Sequence, residues 1–565
     1  MPTHLTDRRL PAPRLQPLQS AFFQPTRWIL TAVITAIWAG GWTSPLRASD
    51  PWAELQSAAA QTGHAAWGHW GPDPAKYSSW TSHSNRLVPI YIFGADLKSV
   101  SGSNSPYRSA DALQRLYGSV PDGTLNPTAE YFDQTDVFRL QQQAVAAGKR
   151  RVILFVFDGM DWQTTQAAAV ARSGQVGYTT GRGTGLHFQD YRGTVTDFGF
   201  FVTSPHNDGT NVDVNEQRVT NPGGKTPGGY DAALGGEYPW SAPGDPMYPI
   251  AKSKQRLHAY TDSASSATSM TCGIKTYNNA INVDPFGREV IPIARTLQEQ
   301  GFAVGAVSSV PISHATPACA YANNVHRNDY QDITRDQLGL PSIFHPGGLP
   351  GLDVLIGGGW GESRDKDGSQ GMNYVPGNRY LSAADRAAID VANGGKYIVA
   401  ERTPGRDGDQ VVREAVARAR QSGSRLFGLF GTTGGHFPYQ TADGSFDPVA
   451  DGGGSSRGKA ETYSPADIAE NPSLATCALA AVEVLQSRSD RWWLMVEAGD
   501  VDWANHANNI DNSIGAVLSG DDALRALTAW IEQNGGWDDT LLIVTADHGH
   551  YLNITNPGAL TGARQ

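Results

Sequence analysis

Cysteine is scarce in this sequence: Cys272, Cys319 and Cys477 are the only three among 565 residues. Three thiols imply no disulfide framework, and each sits among small or apolar neighbours, as a buried small hydrophobe does. Charge is sparse as well, with 18% Asp, Glu, Lys and Arg, a formal net charge of -11 and a pI near 5.7. That balance argues against a nucleic-acid coat or a polybasic membrane face. Internal repeats are absent, and so is a long hydrophobic span. The apolar run "WILTAVITAIWAGGW" (Trp28 to Trp42) has fifteen residues, where a membrane-crossing helix needs roughly 20. Arg8, Arg9, Arg14 and Arg27 precede it, and Leu46-Arg47-Ala48 follows as a small-residue cleavage pattern. Residues 1–48 therefore read as a signal peptide, with export to the periplasm or the medium and no stable span after cleavage.

Glycine (63) and proline (34) are plentiful, which points to long ordered loops. Strand-like runs alternate with helical ones from about Leu87 onward. The clearest strands are "RVILFVF" from Arg151, "FAVGAVS" from Phe302, "DVLIGG" from Asp353, "RLFGLFG" from Arg425, "WWLMVE" from Trp492 and "TLLIVTA" from Thr540. They are continuous apolar runs, as expected of strands buried on both faces of a mostly parallel sheet. Helical patterns cover Val411 to Gln421, Ala475 to Ser487 and Asp522 to Gln533. The expected fold is a three-layer α/β/α sandwich. Residues 49–150 are expected to form an N-terminal extension packing on a catalytic domain over 151–565, with a loop-rich insertion at about 176–249. "DGGGSSRG" (Asp451 to Gly458) reads as a surface loop; its G-x-S-x-G match has no strand before it, which a nucleophile elbow needs. "DVLIGGGWG" lacks the full dinucleotide-binding spacing.

"YTDSASSATSMTCG" (Tyr260 to Gly273) sets Ser263 after an acid, at the head of a run almost free of bulk. Asp262 can cap a helix there, and small residues let a helix lie close to a neighbour. A nucleophilic Ser263 needs an activator besides. The buried strands end in candidates: "LFVFDGM" delivers Asp158, "LMVEAGDVDWANH" delivers Glu497, Asp502 and His506, and "IVTADHGH" delivers Asp547 and His548. In an open α/β sheet such strand ends converge on one crevice. Asp502 and His506 share one face of a helical turn. Mixed His and carboxylate donors suit zinc, and oxygen donors suit magnesium.

"DSASSATSMTCGIKTYNNAINVD" resembles the nucleophile segment of the alkaline phosphatases, and "DGM", "HATPACAYANNVHR", "DVLIGGG", "VEAGDVDWANH" and "TADHGH" are similar to further blocks of that family. The resemblance implies phosphate monoester hydrolysis through a phosphoserine on Ser263. It implies one zinc held by Asp158, Asp547 and His548 beside Ser263, and a second held by Asp502 and His506. Magnesium would be held by Asp158, Thr316 and Glu497, phosphate by Arg327, with His314 and Trp503 near the magnesium through water. Small-molecule phosphate monoesters are the expected partners, with a homodimer as a candidate assembly and no nucleic acid. The family gives the second zinc a histidine from well downstream, followed by a late sheet strand, and this sequence stops at Gln565, seventeen residues past His548. A truncated member with a weak second zinc is thus expected, His436 and His550 being the substitutes nominated. Two alternatives stay open: a diesterase or sulfatase of the same superfamily, and a metal-binding pseudoenzyme. A sulfatase would want Pro and Arg after its nucleophile, where Ala264, Ser265 and Ser266 stand.

Overall fold

Ten strands form the central sheet of the computed structural model, which describes residues 50–453 and 458–561. The expected signal peptide lies outside the described residues, as do residues 454–457 of the glycine-rich loop. In chain order the strands are β1 (Val88–Phe93), β2 (Phe132–Asp133), β3 (Arg151–Phe157), β4 (Thr196–Val202), β5 (Ala303–Pro311), β6 (Val354–Gly358), β7 (Tyr397–Glu401), β8 (Arg425–Leu429), β9 (Trp492–Ala498) and β10 (Thr540–Ala546). Across the sheet they run β7-β8-β6-β5-β9-β3-β10-β1-β4-β2. Neighbours from β7 through β10 are parallel, and β1 runs antiparallel to both β10 and β4.

The helices that matter here are α1 (Trp162–Ser173), α2 (Ser263–Cys272), α3 (Ala315–Cys319), α4 (Gly408–Ser422), α5 (Leu474–Arg488), α6 (Asp500–His506) and α7 (Ile510–Gln533). Consecutive strand residues face opposite layers, and β9 displays both. The Trp492 ring meets Trp530 of α7 at 5.9 Å. Trp493 donates its Nε1–H to Gln141, 2.8 Å away in the opposite layer. Helices α1, α4, α5 and α7 form one layer, and α2 and α3 lie in the other. The result is a three-layer α/β/α sandwich around a mostly parallel sheet.

The boundaries expected from sequence differ from the structure in three places. Residues 49–150 do not merely pack on the sheet, because β1 and β2 are strands within it. The glycine-rich stretch 176–249 does carry two small hairpins, at 207–227 and 212–219, yet it also contributes β4. A strand beyond β10 is present after all, supplied by β1 from upstream. Residues from Asp50 onward accordingly cluster as one compact unit. All three cysteines are buried and unpaired.

Register sets the height of the strand ends. Phe157 of β3 pairs with Ala498 of β9 on one side and Ala546 of β10 on the other. Asp158 and Asp547 therefore leave the sheet level with each other, and Glu497, in register with Val156, lies two residues below them. Helix α7 approaches so closely that a Cβ on Gly520 would collide with the Phe157 ring. Gly520→Ala should consequently destabilise the fold by about 1–3 kcal/mol through overpacking. Chemical denaturation checks this; an unchanged midpoint would mean that α7 is free to shift away from β3.

Candidate metal centre

Helix α2 shows what its small residues are for. All ten of its residues are buried, and Ala264 and Ala267 pack with Ala315, Ala318 and Cys319 of α3. The Asp262 side chain caps α2 by accepting from the Ser265 backbone N–H at 3.0 Å and also from that of Asn279 at 3.1 Å. Its other oxygen accepts from Arg327 Nη1 at 2.9 Å. Burial alone would raise the Asp262 pKa, but Arg327 and these backbone donors outweigh it and hold the carboxyl down at about 2. One acid thus fixes both the helix start and the guanidinium.

Ser263 begins α2 and is almost fully buried at the strand ends. Its Oγ lies 3.3 Å from Asp158 Oδ1 and 3.1 Å from His548 Nε2. His548 Nε2 is in turn 3.2 Å from Asp158 and 3.4 Å from Asp547. Asp158, Asp547 and His548 bring ligand atoms together closely enough to share one ion. His548 Nδ1 is buried without a hydrogen-bond partner, so no third group orients the ring as a general base for the serine. That is the geometry of a metal donor set more than of a serine–histidine pair.

Glu497 lies behind Asp158. Its carboxylate accepts from Ser308 Oγ. Burial is the largest influence and pushes Glu497 up to about 8. Burial, with the carboxylates of Asp547, Asp502 and Glu497, drives Asp158 well above its usual value. Asp158 Oδ2, Thr316 Oγ1 and Glu497 Oε1 are three buried oxygens with no protein partner. Such a set fits a hard, oxygen-seeking divalent cation.

The third group gathers around α6. His506 Nε2 lies 3.5 Å from Asp502 Oδ1, and His550 Nε2 is 2.6 Å from the same oxygen. Gly159, at φ +70°, makes room for His550, since a Cβ there would meet the His550 ring at 2.6 Å. Burial would raise the Asp502 pKa, yet His506 and His550 hold it well below the usual range. His436, the other substitute nominated from sequence, is not in this group: it faces the Phe437 carbonyl and Glu461 instead. A residue not expected from the sequence is present: His83 Nε2 is 3.1 Å from His506 Nε2 and 3.6 Å from Asp502. Its one sequence signal is a histidine shortly before the apolar run "VPIYIF".

The third group opens onto a cavity of about 890 Å³ whose wall includes His83, His314, Arg327, Asp502, Trp503 and His506. The His314 ring sits 5.7 Å from Trp503. Burial and then Arg327 push the His314 pKa down to about 3, so that ring is neutral.

A family model described as alkaline phosphatase matches residues 246–562. The chain is 29% identical over 306 residues to alkaline phosphatase 4 of Bacillus subtilis (strain 168), covering 54% of this chain and 50% of that protein. It is 30% identical over 308 residues to alkaline phosphatase H of Pseudomonas aeruginosa (strain UCBPP-PA14), covering 53% and 59%. The chain spans about half the length of these curated relatives. Among solved structures it is similar to the alkaline phosphatase of Thermus thermophilus, with 24% identity, a TM-score of 0.41 and coverage of 71% of this chain and 60% of that one. For the alkaline phosphatase of the Antarctic bacterium TAB5 the values are 19%, 0.41, 71% and 80%.

Cation binding to this donor set should stabilise the folded chain. A ligand at a hundredfold excess over its Kd contributes about 2.7 kcal/mol per site. Zinc and magnesium should therefore raise the melting temperature and EDTA should lower it; identical melting curves in all three conditions would mean that the cluster holds no ion.

Proposed function

The chain belongs to the alkaline phosphatase family, and from that premise we propose that it hydrolyses small-molecule phosphate monoesters at Ser263 through a phosphoserine intermediate. One observation carries the reading: the Ser263 hydroxyl faces Asp158 and His548 at a helix start, with Arg327 anchored beside it by Asp262. Asp158, Asp547 and His548 would hold one zinc, Asp502 and His506 a second, and Asp158, Thr316 and Glu497 a magnesium. Bound there, the cations would neutralise phosphate charge, acidify the serine hydroxyl and a water, and stabilise the leaving oxygen.

The protein's own groups do the rest. Arg327 presents a planar fork to two phosphate oxygens, and the N-terminus of α2 adds its backbone donors. The Ser263 oxygen attacks phosphorus, forming an Oγ–P bond as the bond to the alcohol oxygen breaks. Water then attacks the same phosphorus, breaking the Oγ–P bond and restoring the serine. Phosphoryl transfer asks mainly for alignment and charge neutralisation, which a pinned arginine and a rigid helix start provide. His314 and Trp503 would line the approach. Arg327 favours a terminal phosphate with free oxygens over a diester, and Ala264-Ser265-Ser266 does not suit a sulfatase nucleophile. We read the chain as periplasmic or secreted, in keeping with its expected signal peptide.

Ser263→Ala should abolish turnover and acid-stable phosphoenzyme while leaving fold and metal content intact. Covalent phosphate found on that variant would move the nucleophile elsewhere. Arg327→Ala removes a charge-assisted bond worth ~1.5–3 kcal/mol, so inhibition by inorganic phosphate should weaken about tenfold or more. An unchanged inhibition constant would put Arg327 outside the phosphate site.

A further inference from the structure

We propose that His83 is the third protein ligand of the Asp502–His506 metal site, and that residues 80–93 supply from upstream both the histidine and the sheet strand that the family resemblance puts downstream. The assignment rests on the metal-dependent reading above and gives that site a donor from outside the family-matched region.

The distances come first. His83 Nε2, His506 Nε2 and Asp502 Oδ1 form a triangle with sides of 3.1, 3.5 and 3.6 Å. Donors on a tetrahedron around zinc, each ~2.0–2.1 Å from the ion, lie roughly 3.3 Å apart. The three atoms therefore match the spacing expected of three zinc donors, and all three residues line the cavity.

Tautomers make the second argument. His83 Nδ1 faces the Thr261 carbonyl at 3.2 Å, and His506 Nδ1 faces the Thr81 carbonyl at 2.6 Å. A carbonyl can only accept, so each Nδ1 carries the proton and each neutral ring turns a lone pair outward at Nε2. Two lone pairs 3.1 Å apart repel unless a cation lies between them. Backbone carbonyls orienting the far nitrogen are also the usual support of a metal-bound histidine. Of the other nearby rings, His550 turns its Nε2 to Asp502 and steers that carboxylate, while His436 spends both nitrogens on Phe437 and Glu461.

The backbone leaves His83 little choice of position. Ser84 N–H donates to the Gly549 carbonyl at 2.7 Å, and Arg86 Nη1 reaches the Leu552 carbonyl at 2.6 Å. On the other side Asn508, just after α6, donates to the Trp80 carbonyl at 2.8 Å. The loop is thus clamped between the segment following β10 and the end of α6, and β1 then runs along β10. With His83 in this position, the site has three protein donors from within the described residues.

Equilibrium dialysis against buffered zinc tests the assignment, with folding checked by circular dichroism. Wild type should keep two zinc ions per chain; His83→Ala should keep the Ser263-side ion and bind the other at least ~100-fold more weakly. His83→Cys retains a donor, and loaded with cobalt(II) it should show a thiolate-to-cobalt charge-transfer band that wild type lacks. Two ions held by His83→Ala with wild-type affinity, or cobalt-loaded His83→Cys without the band, would overturn the role of His83 alone. A wild-type chain that binds no zinc would overturn the metal-dependent reading and this assignment together.

Discussion

Four carboxylates, Asp158, Glu497, Asp502 and Asp547, are buried within one crevice, and the rest of the centre is arranged around that cost. Charges taken out of water without partners are expensive. Asp158 and Glu497 respond by holding protons more tightly, while Asp502 stays ionised among histidines. The sheet register forces the crowding, since Phe157, Ala498 and Ala546 share one level, Asp158, Asp547 and Glu497 each lie one residue from it, and Asp502 joins from α6. Divalent cations bound as proposed would resolve the conflict without moving the strands. The same repulsion would favour multiply charged ions over singly charged ones.

Asp262 illustrates how few residues organise the anionic end. It caps α2, receives Asn279 and grips Arg327, so the proposed nucleophile and phosphate clamp share one anchor. A helix built of small residues can sit against α3 with no bulky side chain between them. A sequence pattern that looks merely permissive is thus what lets Ser263 reach the acid-bearing strand ends.

Much of this can be read from the amino-acid sequence alone. The continuous apolar runs mark the parallel strands, and the acids and imidazoles at their ends mark the crevice. What stays hidden is hidden by local sequence. "VPIYIF" contains a proline and no flanking acid, so β1 gives a weak signal, and His83 goes with it. β4, "TDFGFFV", is submerged in glycine- and asparagine-rich surroundings. Helix α7 starts at Ile510, well before the pattern from Asp522, because its first turns are buried on all sides and show no amphipathic period.

Near the ends of the described chain, Gly68–Trp70 pairs antiparallel with Leu552–Ile554. Together with the clamp on residues 80–86, this zips an early-synthesised segment to a late one. Contacts so distant in sequence carry a large loop-closure cost and form slowly. A ribosome would have released β1 long before its partner β10 existed, so the centre is assembled only after β10 and the segment following it have emerged. An incomplete translation product would keep its histidine loop unpaired and its edge strand open, and would offer proteases an early target.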